Sequence, residues 1–398
     1  MQITFFFENY EIGGGGKYVR DCINGALVRG DEVILLSNQG ALSTDDFMQL
    51  IRPVDLQSVR VFERTQSVSR LLGHSPLAAI VRKSLVVFTP ILFLFNLIEI
   101  WRKLGGLKSE LMIACNGGYP ASESALAAVL AARLRKLPSV LIIMSTPKAR
   151  RKILPGYDRL LDYFIFTAAD MVVLNSVAQS RILVQLRGMP VERIRTLYNG
   201  IPNVLSQRKA QPLTRTHIIL GVACRLDPMK GLDHLIRALA LLPERVSLRI
   251  VGDGESRETL QKLAQAEGIS ERVVFVGYKQ DKDIVYELDT FDFYVFPSLW
   301  EGLPYSLLEA MRAGLPIIST NVGGIPEALG SGKAGMLVNP ASPQALAEAI
   351  NILLDDHEMA TRLGAAARQR YEDLFSLCRM QESFAQIIAE VQLNNKQY

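Results

Sequence analysis

The residues best suited to chemistry in this 398-residue chain lie in its second half, on loops that follow short apolar runs. Two carboxylates, Glu301 and Glu309, sit in the stretch FPSLWEGLPYSLLEAMRAGLPIIST, residues 296–320. Pro304 suits the first turn of a helix and Gly314 suits its close, which predicts a helix over 304–313 between two buried strands. Glu301 then precedes the helix and Glu309 lies inside it, on the order of 12 Å apart at 1.5 Å rise per residue. A glycosidase pair acting on one bond needs roughly 5 to 9.5 Å. The two carboxylates therefore suit opposite ends of one extended ligand.

Arg225 and Lys230, in RLDPMKG, place two cations five residues apart ahead of a glycine that opens a helix. A guanidinium grips two oxygens in a plane and an ammonium acts as a point charge, so together they can neutralise a pyrophosphate leaving group. Gly252 and Gly254 in VGDGE form half of a dinucleotide fingerprint, but Arg257 stands where a third glycine belongs, so the NAD signal is weak. Near the start, Gly13 and Gly14 begin a run of four glycines that exposes backbone amides at a helix N-terminus, where a phosphate or sugar could approach; a flexible turn is the plain alternative. The run lacks the residues of a P-loop.

These groups need a scaffold that ends strands where helices begin. Apolar runs predict strands at 2–7, 32–37, 59–62, 111–115, 140–144 and 171–175, with helical patterns such as 17–29 and 122–135 between them. A polar, proline-containing stretch at 202–216 reads as a linker, and a second set follows at 217–223, 247–251, 273–276, 291–296, 315–319 and 335–338. Strands alternating with helices predict an α/β fold of two doubly wound parallel sheets facing across a cleft. Helical patterns at 343–354, 359–375 and 377–391 end the chain.

The net charge of +4 is unevenly placed: 24 basic against 16 acidic residues up to Asn203, a net +8, and 20 against 24 beyond it, a net −4. The first half is therefore expected to meet something anionic, phospholipid or a phosphorylated acceptor ahead of nucleic acid, since no basic run carries interleaved aromatics. The four cysteines are widely spaced with no CxxC pair, as buried thiols of a reducing compartment would be. The opening MQITFFFENYE reads as a first strand rather than a signal peptide, and the expected location is cytoplasmic, with a peripheral position at the inner membrane face as an extension. Residues 85–100 are almost wholly apolar between basic flanks, too short for a bilayer span, and fit a core helix and a shallow interfacial helix equally well. The cluster Lys148, Arg150, Arg151 and Lys152 inclines the reading toward a membrane surface.

Taken jointly, GGGGKYV, ADMVVLNS, YNGI, RLDPMKG, VGDGE, the Glu-x7-Glu stretch and GGIPE resemble the retaining, metal-independent glycosyltransferases of family 4, with the GT-B fold, over nearly the whole chain. The resemblance implies an N-terminal acceptor-binding domain over 1–203, rejoined by the last helix at about 377–398, and a C-terminal donor-binding domain over 204–376. It implies that Arg225 and Lys230 hold the donor diphosphate and act with Glu301 in catalysis. Glu301 would contact the donor sugar, the backbone at Gly302 and Leu303 the phosphate or sugar, and Glu309 the ribose. Gly13 and Gly14 would let the first domain close over the donor, Asn199 would lie at the hinge side, Gly252 and Gly254 would line the donor loops, and Gly277 and Tyr278 would lie near the base. The implied partners are a nucleotide sugar, a UDP-sugar ahead of a GDP-sugar, and a glycan or lipid-linked acceptor in cell-surface polysaccharide or glycolipid synthesis. No cofactor, metal or nucleic acid is implied.

One departure stands out: where the family commonly carries a histidine after its fifth strand, this chain has Ser145 and Thr146. The rival readings are a non-catalytic nucleotide- or glycan-binding member of the same fold, a sugar phosphorylase or epimerase, and, more remotely, an NAD oxidoreductase.

Overall fold

A computed structural model describes residues 1–8, 14–38, 49–62, 85–120, 122–204 and 217–396. They fall into two compact units, one of residues 1–198 with 380–398 and one of 199–379. In the first, a seven-stranded parallel sheet runs in the order β3-β2-β1-β4-β5-β6-β7. Its strands are β1 (Gln2–Phe7), β2 (Glu32–Ser37), β3 (Asp55–Ser58), β4 (Leu111–Asn116), β5 (Ser139–Ile143), β6 (Met171–Leu174) and β7 (Ile194–Thr196). The helices of this unit are α1 (Gly14–Val28), α2 (Thr89–Leu104), α3 (Glu123–Leu134), α4 (Pro155–Ala168) and α5 (Val177–Arg187). Helix α3, rich in alanine and buried over most of its length, packs between α2 and α4. Small side chains let the three helices close over the sheet, as a doubly wound fold requires on each face.

The second unit repeats the plan with six parallel strands in the order β10-β9-β8-β11-β12-β13. These are β8 (Ile218–Ala223), β9 (Val246–Val251), β10 (Val273–Gly277), β11 (Phe293–Phe296), β12 (Ile317–Thr320) and β13 (Met336–Val338). The helices are α6 (Leu232–Ala240), α7 (Arg257–Ala266), α8 (Asp281–Thr290), α9 (Tyr305–Arg312), α10 (Ile325–Ala328), α11 (Pro343–Asp355) and α12 (His357–Arg370). The last helix, α13 (Leu377–Lys396), returns to the first unit. There the Phe384 ring lies 6.2 Å from that of Phe5, and the Arg195 guanidinium pairs with Glu390.

Two differences from the sequence reading have local causes. The third strand lies at Asp55–Ser58, not 59–62, because β3 is an edge strand whose residues are mostly exposed and carry no apolar signature. The backbone of Phe62 is instead held by the Asn96 side chain, which accepts from its N–H at 2.8 Å and donates to its carbonyl at 3.0 Å. Pro304 caps α9 in an extended conformation rather than entering it, and Gly314 follows the helix at φ +66°. Gly13 and residues 205–216 of the expected linker lie outside the described residues.

Candidate donor site

In an open parallel sheet, ligands gather at the carboxyl ends of the strands where the strand order reverses. In the second unit that point lies between β8 and β11, and the loops after these two strands carry the charged residues singled out above. The loop after β8 turns through Asp227, whose carboxylate accepts from the Met229 N–H at 2.9 Å and from Arg225 Nε at 2.9 Å. This holds the Arg225 stem while its side chain stays 69% exposed.

Lys230 ends that loop and donates to Glu301 Oε1 at 2.6 Å across the strand reversal. Ser298 donates to the same oxygen at 2.8 Å, and the Leu299 N–H bonds to the Met229 carbonyl at 2.8 Å. The buried carboxylate is thus fixed by two donors on two loops. Lys230 has three N–H donors and spends one on Glu301.

Close backbone packing welds the neighbouring loops together. A Cβ on Gly252, whose φ is +134°, would collide with the Cys224 carbonyl, and one on Gly254 would collide with Leu226. Leu226 N–H bonds to the Asp253 carbonyl at 2.9 Å, and Gly252 N–H to the Gly277 carbonyl at 2.9 Å. The Gly324 N–H bonds to the Gly302 carbonyl at 2.8 Å, and a Cβ on Gly323 would strike the Glu301 carbonyl. Asn199 donates to the Leu303 carbonyl at 2.6 Å, fixing the approach to α9.

The residues expected from the sequence therefore divide. Arg225, Lys230, Gly252, Gly254, Gly277, Glu301, Gly302, Leu303 and Asn199 are joined by these bonds and close approaches. Glu309 is half-buried on α9, and Tyr278 is 63% exposed beyond β10. Gly14 opens α1 in the first unit, and Gly13 is outside the described residues. Ser298 and Asp227, which orient Glu301 and Arg225, were not singled out; the Ser-x-x-Glu spacing of 298 and 301 was the available signal. Burial pushes the Cys224 thiol beside Lys230 up to about 12, so it is no nucleophile at neutral pH.

In the first unit the loop after β5 is organised by ion pairs. Arg151 bonds to Asp158 and to Glu123, the latter at 2.6 Å, and Arg150 bonds to Asp162 at 2.8 Å. Arg187, fully buried, reaches Asp162 at 2.8 Å and Asp158 at 3.5 Å, and Tyr119 donates to Asp162 at 2.8 Å. Burial raises the Glu123 carboxyl above its ordinary range, against the opposing pull of Arg151. Two members of the basic cluster expected to face an anionic surface, Arg150 and Arg151, are thus engaged inside this unit, while Lys148 and Lys152 are exposed. Ser145 donates to the Gly117 carbonyl and Thr146 is buried. Among the described residues no three His, Cys, Asp or Glu side chains gather as a metal site, and no helix is long and apolar enough to cross a membrane.

Residues 204–370 match the family model of glycosyl transferases group 1. A GDP-mannose-dependent alpha-(1-6)-phosphatidylinositol monomannoside mannosyltransferase of Mycobacterium tuberculosis is 37% identical over 155 residues, 36% of this chain and 40% of that protein. The lipopolysaccharide core biosynthesis glycosyltransferase LpsE of Rhizobium meliloti is 28% identical, over 64% of this chain and 77% of its own. Among the first curated relatives the chain spans about half the length, 40%, 50% and 54%. The fold is that of Anabaena Alr3699/HepE in complex with UDP, with TM-score 0.75 over 98% of this chain and 100% of that one, at 20% identity. Residues 204–370 therefore belong to the glycosyl transferases group 1 family, on the two-unit Rossmann-like fold of the GT-B glycosyltransferases.

Proposed function

We propose that the chain is a retaining, metal-independent glycosyltransferase of family 4 that moves a hexose from a nucleoside-diphosphate sugar to a glycan or lipid-linked acceptor, in cell-surface polysaccharide or glycolipid synthesis. The observation that carries the reading is the Lys230–Glu301 pair, 2.6 Å across the strand reversal of the second unit and one loop from the N-terminus of α9. A departing nucleoside diphosphate gathers charge on its β-phosphate, and fixed cations stabilise that charge more in the transition state than before it. Lys230 directs its remaining N–H donors at the phosphate, with Arg225 opposite. Glu301, held by Lys230 and Ser298, meets the sugar hydroxyls, and Glu309 meets the ribose. With no nucleophile assigned beside the sugar, the departing phosphate takes the acceptor proton on the face it leaves.

The proposed donor base is uracil or guanine. The sequence reading favours a UDP-sugar, the relative that is 37% identical is named as GDP-mannose-dependent, and the similar Anabaena structure is in complex with UDP. The relative named for lipopolysaccharide core synthesis supports an acceptor at the cell surface. A thermal-shift titration with UDP, GDP, ADP and NAD tests the donor. At 100 times its dissociation constant one nucleoside diphosphate should stabilise the wild type by about 2.7 kcal/mol, and Arg225→Ala and Glu309→Ala should lose that gain. A shift with NAD alone, or with none of the four, would sink the proposal.

A further inference from the structure

Helix α2 is apolar on both sides. Its inward face, Phe93, Ile100 and Leu104, is buried in the core of the first unit with Asn96. Its outward face carries Ile91, Leu94, Phe95, Ile98 and Trp101, extended by Val87 and Phe88 of the preceding turn (Leu85–Phe88), and these seven range from 37 to 65% exposed. At 100° per residue all seven fall within an arc of roughly 140°. A solvated helix would place charge there; among the described residues the Phe62 ring meets that of Phe95 edge-on at 5.0 Å, at one border of the stripe.

The stripe ends in positive charge. Arg102 is exposed, paired with Glu99 at 3.4 Å, and Arg135 stacks over the Trp101 ring at 3.8 Å. Arg135 closes α3 beside the last turn of α2, and Arg133, Leu134 and Lys136 around it are exposed as well. An apolar face that passes into an indole capped by the Arg135 guanidinium, with exposed cations beyond it, matches the layering of a bilayer surface, acyl chain below and anionic headgroup above.

We propose that this face of α2, with the cationic end of α3, docks the first unit onto a membrane rich in anionic phospholipid, inserting Ile91, Leu94, Phe95 and Ile98 into the acyl boundary. Charge complementarity selects this occupant over a second copy of the chain, which would set Arg102, Arg133, Arg135 and Lys136 against their own kind. The surface deepens the lipid-linked acceptor reading above but does not depend on it, because binding is read without any donor or turnover.

The test is flotation of the full chain with vesicles of phosphatidylcholine alone and of phosphatidylcholine mixed equally with phosphatidylglycerol. The chain should float with the mixed vesicles, less so at high salt. A variant with Ile91→Glu and Leu94→Glu, both at exposed positions, should lose binding at least tenfold, about 1.4 kcal/mol, with its melting temperature and nucleotide-induced shift unchanged. Arg102→Glu with Lys136→Glu should lower binding to the mixed vesicles alone. If the wild type stays in the soluble fraction with both vesicles, or if the Ile91, Leu94 variant floats as the wild type does, the surface is not a membrane seat; a change in oligomeric state of that variant without flotation of the wild type would assign it to self-association instead. Failure here with an intact nucleotide shift leaves the donor site standing.

Discussion

The two units share a parallel-sheet plan but organise the loops at their strand ends by different physics. In the second unit the loops lean on one another through backbone: Gly252 against Cys224, Gly254 against Leu226, Gly323 against Glu301, each too close for any side chain. In the first unit the loop after β5 is held by side-chain charge, with Arg150, Arg151 and Arg187 distributed over Asp158, Asp162 and Glu123. Backbone welding fixes the loops that carry Arg225 and Lys230, whose ion pairs, with Asp227 and Glu301, lie at the loop tips. A network of buried ion pairs consumes its charges internally. A cluster of basic residues and a scattered pair of cations can therefore have opposite meanings, decided by what stands behind them.

This contrast can be broken by mutation. The largest loss of stability is expected from Arg187→Ala, about 3 to 5 kcal/mol, since it removes the fully buried cation that Asp158 and Asp162 share and leaves a cavity in its place; denaturant titration would read it, and a loss under 1 kcal/mol would mean that the network is solvated. Next comes Gly252→Ala, at about 3 kcal/mol, from the collision with Cys224 and the positive φ. Gly268→Ala, at φ +72° in open space, serves as its control at about 1 kcal/mol. Equal effects would show that packing at Gly252 is not what matters.

Thiol labelling sharpens the contrast without mutation. The exposed Cys378 should react at pH 8, the buried Cys22 and Cys115 should not, and the half-buried Cys224, its thiol raised to about 12, should react far more slowly than Cys378. For Cys224 the folded value of about 12 lies above the ordinary 9.0, so folding favours the protonated thiol. Its contribution to stability is full below pH 9 and falls as the pH rises toward 12. Rapid labelling of Cys224 in the native protein would mean that the loops after β8 and β9 are not packed as described. The smallest effect belongs to Arg225→Ala, whose exposed side chain should contribute less than about 0.5 kcal/mol to stability while its loss weakens nucleotide binding.

Much of the second unit was legible because its signals are local. A Gly-x-Gly pair and an Arg-x4-Lys spacing each describe one loop, a Glu-x7-Glu spacing describes a loop and the helix it leads into, and the buried strands on either side are continuous apolar runs. The fold class followed from the alternation of such runs with helical patterns. What stayed hidden has little local signature. Strand β7, Ile-Arg-Thr, exists through pairing with β6, and β3 is an edge strand with no apolar pattern. The pairings of Arg150, Arg151 and Arg187 with acids 7 to 28 residues away cannot be read from charge order. The two apolar faces of α2 look alike in sequence, and only the packing of α3 against one of them tells them apart.

The central claim, that Lys230 and its loop receive the diphosphate of a nucleotide sugar, is tested most directly by calorimetric titration of one nucleoside diphosphate and its monophosphate into the wild type and Lys230→Ala. The diphosphate should bind the wild type more tightly than the monophosphate does, and Lys230→Ala should lose at least tenfold, about 1.4 kcal/mol, for the diphosphate while barely changing the monophosphate. Equal affinity of the diphosphate for both proteins would contradict the assignment and move the phosphate site away from the loop after β8.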